Sequence, residues 1–325
     1  MNNTENKLMF GRTAWGLCLT ACFAFCLVAC SGTSKKSEAV PESKHYLWKI
    51  SDENSSIWVL GSIHLADSTL YPFDPVIDSA FAQAEELAVE INMNDEDVVK
   101  EVGEQSVSRG LLSEGTLRDV LPPDLWHSFD SLCTSWNVPV VLFERMRPWL
   151  AATTLSSYAF VQAGLNPEYG IDYVLLDRAA MSGKAIVSLE TAEEQIIALA
   201  DTTESDSAGI YYMRTTLREI AGIDSIVKNL MQAWKYGDDD LLRRTLDEAE
   251  KNDPDDNESS ENSKYKDDFE QRVYIGRNAK MAESIAKFLS EDRNVFVVVG
   301  VAHLALEKDN VIEALRKRGL KVERF

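Results

Sequence analysis

Two histidines stand in matching contexts near opposite ends of the sequence. The motif Gly-x-x-His ends once at His64 and again at His303, and a leucine follows the histidine both times. An imidazole binds divalent metals when neutral, and its ordinary pKa also suits it to proton transfer. A single histidine after a strand is usually a hydrogen-bonded loop residue, but 2 of the 4 histidines in the chain share this motif. We therefore predict that His64 and His303 belong to one site, whereas His45 and His127 have no such role.

The residues around each histidine predict how the two side chains come together. Residues 57–60 and 295–299 are apolar runs typical of buried strands, and each run leads into the glycine of its motif. A helical stretch and a short strand with a Val-Glu pair follow in both halves. In open α/β sheets, ligands bind at the carboxyl ends of the strands. The repeat predicts an α/β fold whose central mixed sheet is built from two strand-Gly-x-x-His-helix-strand units.

Charged residues near other strand and helix ends are further candidates for this site. Glu90 interrupts an apolar run, where an unpaired carboxylate is costly to bury, although it could also face solvent from an edge strand. Glu190 follows a predicted strand, and Arg277 lies on a predicted helix before the second histidine unit. Asp172 is near the start of a predicted helix, where a capping role is the alternative. Arg147 precedes a proline, which favours extended backbone, so it projects into a cleft or forms a surface salt bridge.

Taken in order, these residues resemble the motifs of the TraB/GumN family, the bacterial relatives of Tiki metalloproteases. The matching segments span the predicted domain and are Val59-Leu60-Gly61-Ser62-Ile63-His64-Leu65 with Glu90, Arg147-Pro148-Trp149, Gly170-Ile171-Asp172, Leu189-Glu190-Thr191 with Gln195, Arg277-Asn278, and Val299-Gly300-Val301-Ala302-His303-Leu304. The family often has glycines soon after the second His-Leu pair. Here Ala305-Leu306-Glu307-Lys308 follow instead.

The resemblance implies a metal-dependent peptidase that acts on peptide or protein substrates. The expected metal ligands are His64, His303, Glu90 and Asp172, and the expected catalytic residues are Glu90, Glu190, Arg147 and Arg277. The expected cofactor is a divalent ion such as Mn, Co or Zn, although the His-Glu-x-x-His signature of standard zinc peptidases is absent. Two alternatives stay open. One is a metal-free hydrolase in which a histidine oriented by Glu90 activates water, and the other is a non-catalytic lipoprotein that binds haem or metal.

The first 30 residues have the pattern of a lipoprotein signal peptide. Lys7 and Arg12 precede an apolar run, and Leu-Val-Ala-Cys ends at Cys30, the expected lipidation site. A transmembrane helix is the alternative for this run. Residues 31–44 predict a flexible tether, and Ser31 is compatible with sorting to an outer membrane. We therefore expect a protein of the cell envelope that is held to the membrane by a lipid anchor.

Composition and segment boundaries complete the prediction. The formal net charge of −20 and the pI near 4.6 argue against a nucleic-acid partner, because phosphate contacts need clustered Lys and Arg. Residues 45–325 are predicted to form the α/β domain, with helical insertions at about 95–165 and 205–290. The acidic residues 252–268 predict a solvated loop. Cys133 would be the single cysteine of the mature domain and is predicted to be a small core residue.

Overall fold

The structure is a computed structural model that describes residues 45–200, 206–251, 260–305 and 308–325. The predicted signal peptide with Cys30, the predicted tether and residues 252–259 of the predicted acidic loop lie outside these ranges. No helix within them has both the length and the apolar character needed to cross a membrane.

A six-stranded mixed sheet forms the centre of the domain, as the sequence predicts. Its strands are β1 (Leu47–Ser51), β2 (Ser56–Ser62), β3 (Glu86–Val89), β4 (Ala185–Ser188), β5 (Val295–Gly300) and β6 (Val322–Arg324). The spatial order is β4-β3-β5-β2-β1-β6. The first four strands in that order run parallel, whereas β1 is antiparallel to both of its neighbours. The predicted hairpin of β1 and β2 is confirmed.

The pairing of β2 with β5 brings the two histidine motifs to the same edge of the sheet. Gly61 lies opposite Val299 and Ser62 lies opposite Gly300, so both strands end at the same level. A methyl group on Gly61 would lie 3.0 Å from the Val301 side chain, so this position has little room for a larger residue. Because β5 sits between β2 and β3, the two strands of the first unit are not neighbours. Strand β5 of the second unit is inserted between them, whereas β6 lies at the edge of the sheet beside β1.

Fourteen helices among the described residues surround the sheet. They are α1 (Pro75–Gln83), α2 (Glu96–Gly110), α3 (Leu117–Val120), α4 (Pro123–Ser135), α5 (Pro148–Gln162), α6 (Ile171–Ser182), α7 (Ala192–Leu199), α8 (Ser207–Ala221), α9 (Ile223–Tyr236), α10 (Asp239–Lys251), α11 (Ser260–Glu270), α12 (Gly276–Ser290), α13 (Val301–Ala305) and α14 (Val311–Lys317). A π-helical turn, Gln271–Ile275, joins α11 to α12. Three short 3₁₀ turns lie at Ser68–Leu70, Val140–Phe143 and Pro167–Tyr169.

The apolar residues form two cores, and the chain passes from one to the other at the predicted site residues. The first core contains the sheet with α1, α6, α9 and α12, and the second lies within the helical insertion. Val89 belongs to the first core and Ile91 to the second, so Glu90 lies at the junction. Val273 and Met281 flank Arg277 in the same way. The sequence therefore places these polar groups where two apolar surfaces meet.

Two predicted boundaries are shifted in the structure. Strand β3 ends at Val89, so Glu90 follows the strand and is not part of it. The acidic loop is shorter than predicted, because helix α11 occupies residues 260–268 and continues to Glu270. Phe269, near the end of this helix, is buried in the second core. An apolar anchor of this kind explains why a strongly polar segment is helical.

Candidate functional site

Arg277 joins two buried glutamates at the carboxyl ends of β3 and β4. Its Nε lies 2.9 Å from Glu190 Oε1, and its Nη2 lies 2.7 Å from Glu190 Oε2. The same Nη2 donates to Glu90 Oε2 at 2.6 Å. All three side chains are buried. Because both oxygens of Glu190 accept from the guanidinium, Glu190 acts through Arg277, and we regard both as residues that position Glu90.

The second oxygen of Glu90 faces the second histidine motif. Its Oε1 accepts the backbone N–H of Gly300 at 2.7 Å and lies 4.0 Å from His303 Nε2. Burial raises the pKa of Glu90, but Arg277, both imidazoles and the Gly300 amide together lower it to about 2. Burial, helped by the charge of Glu90, raises the pKa of Glu190 despite Arg277. Glu90 is therefore the more acidic carboxylate of the pair.

His64 is held by a carboxylate. Its Nδ1 lies 2.6 Å from Asp172 Oδ2, and the hydroxyl of Ser62 donates to Asp172 Oδ1 at 2.8 Å. Asp172 is buried in the first turn of α6, where the helix dipole favours its negative charge. Burial lowers the pKa of His64, but Asp172 outweighs this effect and raises it to about 9. Asp172, predicted as a metal ligand, thus lies behind the histidine and orients it.

His303 is held by an amide. Its Nδ1 lies 2.6 Å from Asn278 Oδ1, while Asn278 Nδ2 donates to the carbonyl of Asp309 at 2.9 Å. The second bond fixes which amide atom faces the ring, so we assign the proton of His303 to Nδ1 and the lone pair to Nε2. Burial and the charge of Arg277 lower the pKa of His303 to about 3. This imidazole is neutral at physiological pH.

The buried set has a charge that suits a divalent ion. It contains 3 carboxylates, Glu90, Glu190 and Asp172, and 1 guanidinium, so its formal charge is −1 while His64 holds its proton and −2 once that proton is lost. Metal-binding histidines usually hold their other ring nitrogen in a hydrogen bond to an oxygen, as both do here. Within the ranges described above, no group of three or more His, Cys, Asp or Glu side chains is already arranged as a metal site. The chemistry of the donors fits a metal, and His303 Nε2 and Glu90 Oε1, 4.0 Å apart, already have a spacing close to that of two ligands of one ion.

Arg147 contacts none of these residues through the hydrogen bonds described. Its Nη1 instead lies 2.8 Å from Asp206 Oδ1, at the start of α8. Its backbone N–H donates to the carbonyl of Gly110 at 2.7 Å, and it caps α5. Trp149 of the same motif is buried in the second core. The predicted catalytic role of Arg147 thus has no contact to support it, and the geometry indicates a role in holding the helical insertion together.

Several contributing residues were not predicted individually. Ser62 and Gly300 lie inside the histidine motifs, and Asn278 follows Arg277, so their proximity to predicted residues was the available signal. Tyr274 carried no such signal, yet its ring centre lies 5.5 Å from that of His303. The remaining histidines behave as predicted in their placement. His45 lies 3.4 Å from Asp74 at the edge of the domain, and His127 is exposed on α4.

Gly170 gives a stability test of the loop that carries His64. The N–H of Ile171 donates to the carbonyl of Ile63 at 3.0 Å, and a methyl group on Gly170 would lie 2.2 Å from the carbonyl oxygen of His64. We expect Gly170→Ala to destabilise the protein by roughly 1–3 kcal/mol, since backbone must move to relieve the contact. Thermal unfolding measures this effect. Gly103→Ala is the matched control, because its added methyl meets nothing within 4 Å, and equal stability of both variants would contradict the prediction.

Cys133 is buried and unpaired, as predicted for a core residue. Burial, together with the charge of Asp130, raises the pKa of its thiol to about 11. It is therefore not a nucleophile near neutral pH.

Comparison with known proteins identifies the family. The chain is similar to the protein described as "Uncharacterized protein YbaP" of Escherichia coli (strain K12), with 24% identity over 200 residues that cover 60% of this chain and 72% of the relative. A protein of the same description from Shigella flexneri matches with the same identity and coverage. No solved structure shows a significant match. The family model described as TraB/PrgY/gumN matches residues 46–324, which include every residue of the site described above. The chain therefore belongs to the TraB/PrgY/gumN family.

Proposed function

We propose that this protein is a hydrolase that cleaves peptide bonds with the help of a divalent metal ion held by His303, Glu90 and His64. The observation that carries the proposal is the buried pairing of an oriented, neutral imidazole with an ionised carboxylate. His303 Nε2 and Glu90 Oε1 lie 4.0 Å apart, close to the separation of two ligands that each sit about 2.1 Å from one ion. The peptide as substrate follows from the resemblance to Tiki metalloproteases.

The roles of the remaining residues follow from their contacts. Arg277 and the Gly300 amide keep Glu90 ionised, and Asn278 keeps the lone pair of His303 on Nε2. Asp172 increases the basicity of His64, as carboxylate partners do for metal-binding histidines. A bound divalent ion would act as a Lewis acid and would lower the pKa of the water bound to it to about 7.

A metal-free hydrolase is the second candidate, and His64 is the observation that favours it. With a pKa near 9, its pair with Asp172 holds a proton at neutral pH and could give it to the leaving amine. The metal-free reaction also needs a base that takes a proton from the attacking water. Glu90, with a pKa near 2, and His303, with a pKa near 3, accept a proton from water poorly at pH 7, while both can still act as ligands. This comparison supports the metal-dependent reaction.

Metal analysis and peptide hydrolysis on one preparation of the mature domain test the proposal. We expect about one divalent ion per chain and hydrolysis that stops on chelation and returns when Mn, Co or Zn is added. Hydrolysis that persists after the metal has been removed would favour the metal-free reaction. If the protein hydrolyses no peptide but develops a Soret band with haem, both hydrolase proposals would be wrong and the non-catalytic, haem-binding function would replace them.

We also propose that Cys30 anchors the mature protein to a membrane of the cell envelope. The support is the lipobox that ends at this residue and the charged segment before it. Cys30→Ser is expected to release the protein from the membrane fraction or to leave an uncleaved precursor. Fractionation followed by mass spectrometry of the N-terminus checks this, with Cys133→Ser as the control that should leave the anchor intact. Mature protein that stays in the membrane fraction after Cys30→Ser would contradict the anchor.

A further inference from the structure

Strand β4 is one edge of the sheet and pairs on one side only, with β3. Leu189, directly after the strand, donates its N–H to the carbonyl of Val89 at 2.9 Å. Backbone groups of successive residues in a strand point to opposite sides, so the N–H and carbonyl groups of Ile186 and Ser188 point away from β3. In the described part of the chain, no hydrogen bond reaches these backbone groups. Strand β4 therefore has a free edge.

The side chains of β4 leave this edge open. Natural sheets protect an edge strand with charged side chains, proline or a bulge, or by keeping the strand short. The opposite edge strand, β6, carries charges, since two of its three residues are Glu323 and Arg324. Ala185–Ser188 contains neither a charged residue nor proline, and its first and last residues are exposed. Its length of only 4 residues is its one protection among these.

The free edge leads directly into the candidate site. Glu190, two residues after β4, binds Arg277, which in turn binds Glu90. Neighbouring strands lie about 4.8 Å apart, so a chain paired with β4 would lie about 10 Å from β3. At the end of β3, Glu90 faces His303. An extended chain covers a distance of about 10 Å with about three residues.

An extended peptide is the partner that fits this edge. Peptides add to exposed sheet edges through main-chain hydrogen bonds, and Ile186 and Ser188 each offer one donor and one acceptor. Each such bond contributes only about 1 kcal/mol, so pairing with this short strand is weak by itself. A peptide that also reaches the site gains the contacts made there. The edge is therefore suited to a substrate and poorly suited to a permanent partner.

We propose that β4 binds the peptide substrate as an added strand and directs the bond to be cleaved towards Glu90 and His303. This proposal rests on the hydrolase function proposed above. Two or three paired residues and the three that cross to the site require a substrate of about six residues or more. The paired residues lie away from the reacting bond, so they bind equally well in the ground state and the transition state. Their loss raises KM and leaves kcat unchanged.

Ile186→Pro removes one outward N–H and puts a ring in its place, while the hydrogen bonds to β3 are kept. Proline is tolerated in an edge strand at such a position. For a peptide of nine residues, cleaved by the purified full-length protein, we expect KM to rise about 10-fold and kcat to change by less than about 3-fold. A tripeptide is too short to reach β4, so its kcat/KM should be the same in the variant and the parent.

Val322→Pro is the matched control at the opposite edge of the sheet. Phe325 donates to the carbonyl of Leu47 at 2.9 Å, so the alternation along β6 turns the N–H of Val322 away from β1. Val322 is half-buried, as Ile186 is. This variant should leave KM for the nine-residue peptide unaltered. Thermal unfolding of both variants shows whether either proline disturbs the fold.

N-methylation of the peptide provides a second measurement that needs no variant. A methyl group on a backbone nitrogen removes one donor and blocks pairing at that residue. Within the paired segment, methylation should raise KM at every second residue and have little effect at the residues between, because alternate residues face β4. This pattern decides the question if Ile186→Pro unfolds at a much lower temperature than Val322→Pro.

The outcomes distinguish the two proposals. If Ile186→Pro keeps its KM within about 3-fold, or if the methylated peptides show no alternation, the role of β4 is wrong and the hydrolase function stands. If the metal-loaded parent protein cleaves no peptide, the hydrolase function is wrong, and the role of β4 with it. A dimer that Ile186→Pro dissociates would show that the free edge pairs two copies of the chain, which also overturns the proposal.

Discussion

Replacing His303 or His64 by asparagine is expected to reduce peptide hydrolysis by at least about 10³-fold while the protein stays folded. The asparagine amide can donate where Nδ1 does, to Asn278 Oδ1 in one case and to Asp172 Oδ2 in the other. Each substitution therefore keeps the bond that orients the side chain and removes only Nε2. Steady-state kinetics on a peptide and thermal unfolding of each variant measure the two effects.

His127→Asn makes the same chemical change on the exposed surface of α4 and should leave kcat/KM unaltered. The metal content should fall in His303→Asn and stay unchanged in the control. If either site variant kept more than about a tenth of the parent activity with an unchanged thermal midpoint, that histidine would lie outside the reaction. The prediction that His64 and His303 belong to one site would then be wrong, whatever bond the enzyme cleaves.

The pairing of the two histidine units could be predicted because its signal is local and repeated. Val59 and Val297 lie in runs that are apolar on both faces, which is typical of central parallel strands, and each run ends in the same motif. The order of the strands could not be predicted in the same way. Strand β5 enters between β2 and β3, although more than 200 residues separate Gly61 from Val299, and no local pattern records such a contact.

Residue types at the site were predictable, but their partners were not. Glu90, Glu190 and Arg277 were expected as separate catalytic groups, yet they form one buried ion network because strands β3 and β4 end, and helix α12 begins, at the same place. Asp172 had two readings from the sequence, a helix cap or a metal ligand, and its contact with His64 differs from both. Burial decides these roles. A carboxylate that contacts an imidazole in an apolar interior changes the charge of that imidazole, whereas the same residue on a surface only caps a helix.

The second large effect is expected for Arg277→Met, which should destabilise the protein by roughly 3–5 kcal/mol near pH 8. The substitution leaves Glu90 and Glu190 buried without the guanidinium that now joins them. For a domain of this size, the thermal midpoint should fall by roughly 6–15 °C. Lys280→Met serves as the control, since Lys280 forms an exposed ion pair with Glu194 that contributes little to stability.

The pH dependence distinguishes a charge effect from simple loss of packing. In the parent protein, Glu90 has a folded pKa near 2, below its ordinary value of 4.5, so its contribution to stability is present above pH 4.5 and is lost as the pH falls towards 2. Without Arg277, we expect burial to dominate and to raise the folded pKa of both glutamates above that ordinary value. Their destabilising effect is then full at pH 8 and fades as the pH falls towards 4.5, where they bind protons.

Urea unfolding at pH 8 and at pH 5 should therefore show a smaller difference between parent and Arg277→Met at the lower pH. The double variant Arg277→Met with Glu190→Gln removes one of the two unpaired charges, so it should recover part of the lost stability at pH 8 and little at pH 5. Glu90 keeps the amide of Gly300 in either case, which gives one buried carboxylate a remaining donor. A destabilisation that is the same at both pH values, with no recovery in the double variant, would mean that Arg277 contributes packing and not charge. The ionised state of Glu90, on which the proposed metal site depends, would then need another source.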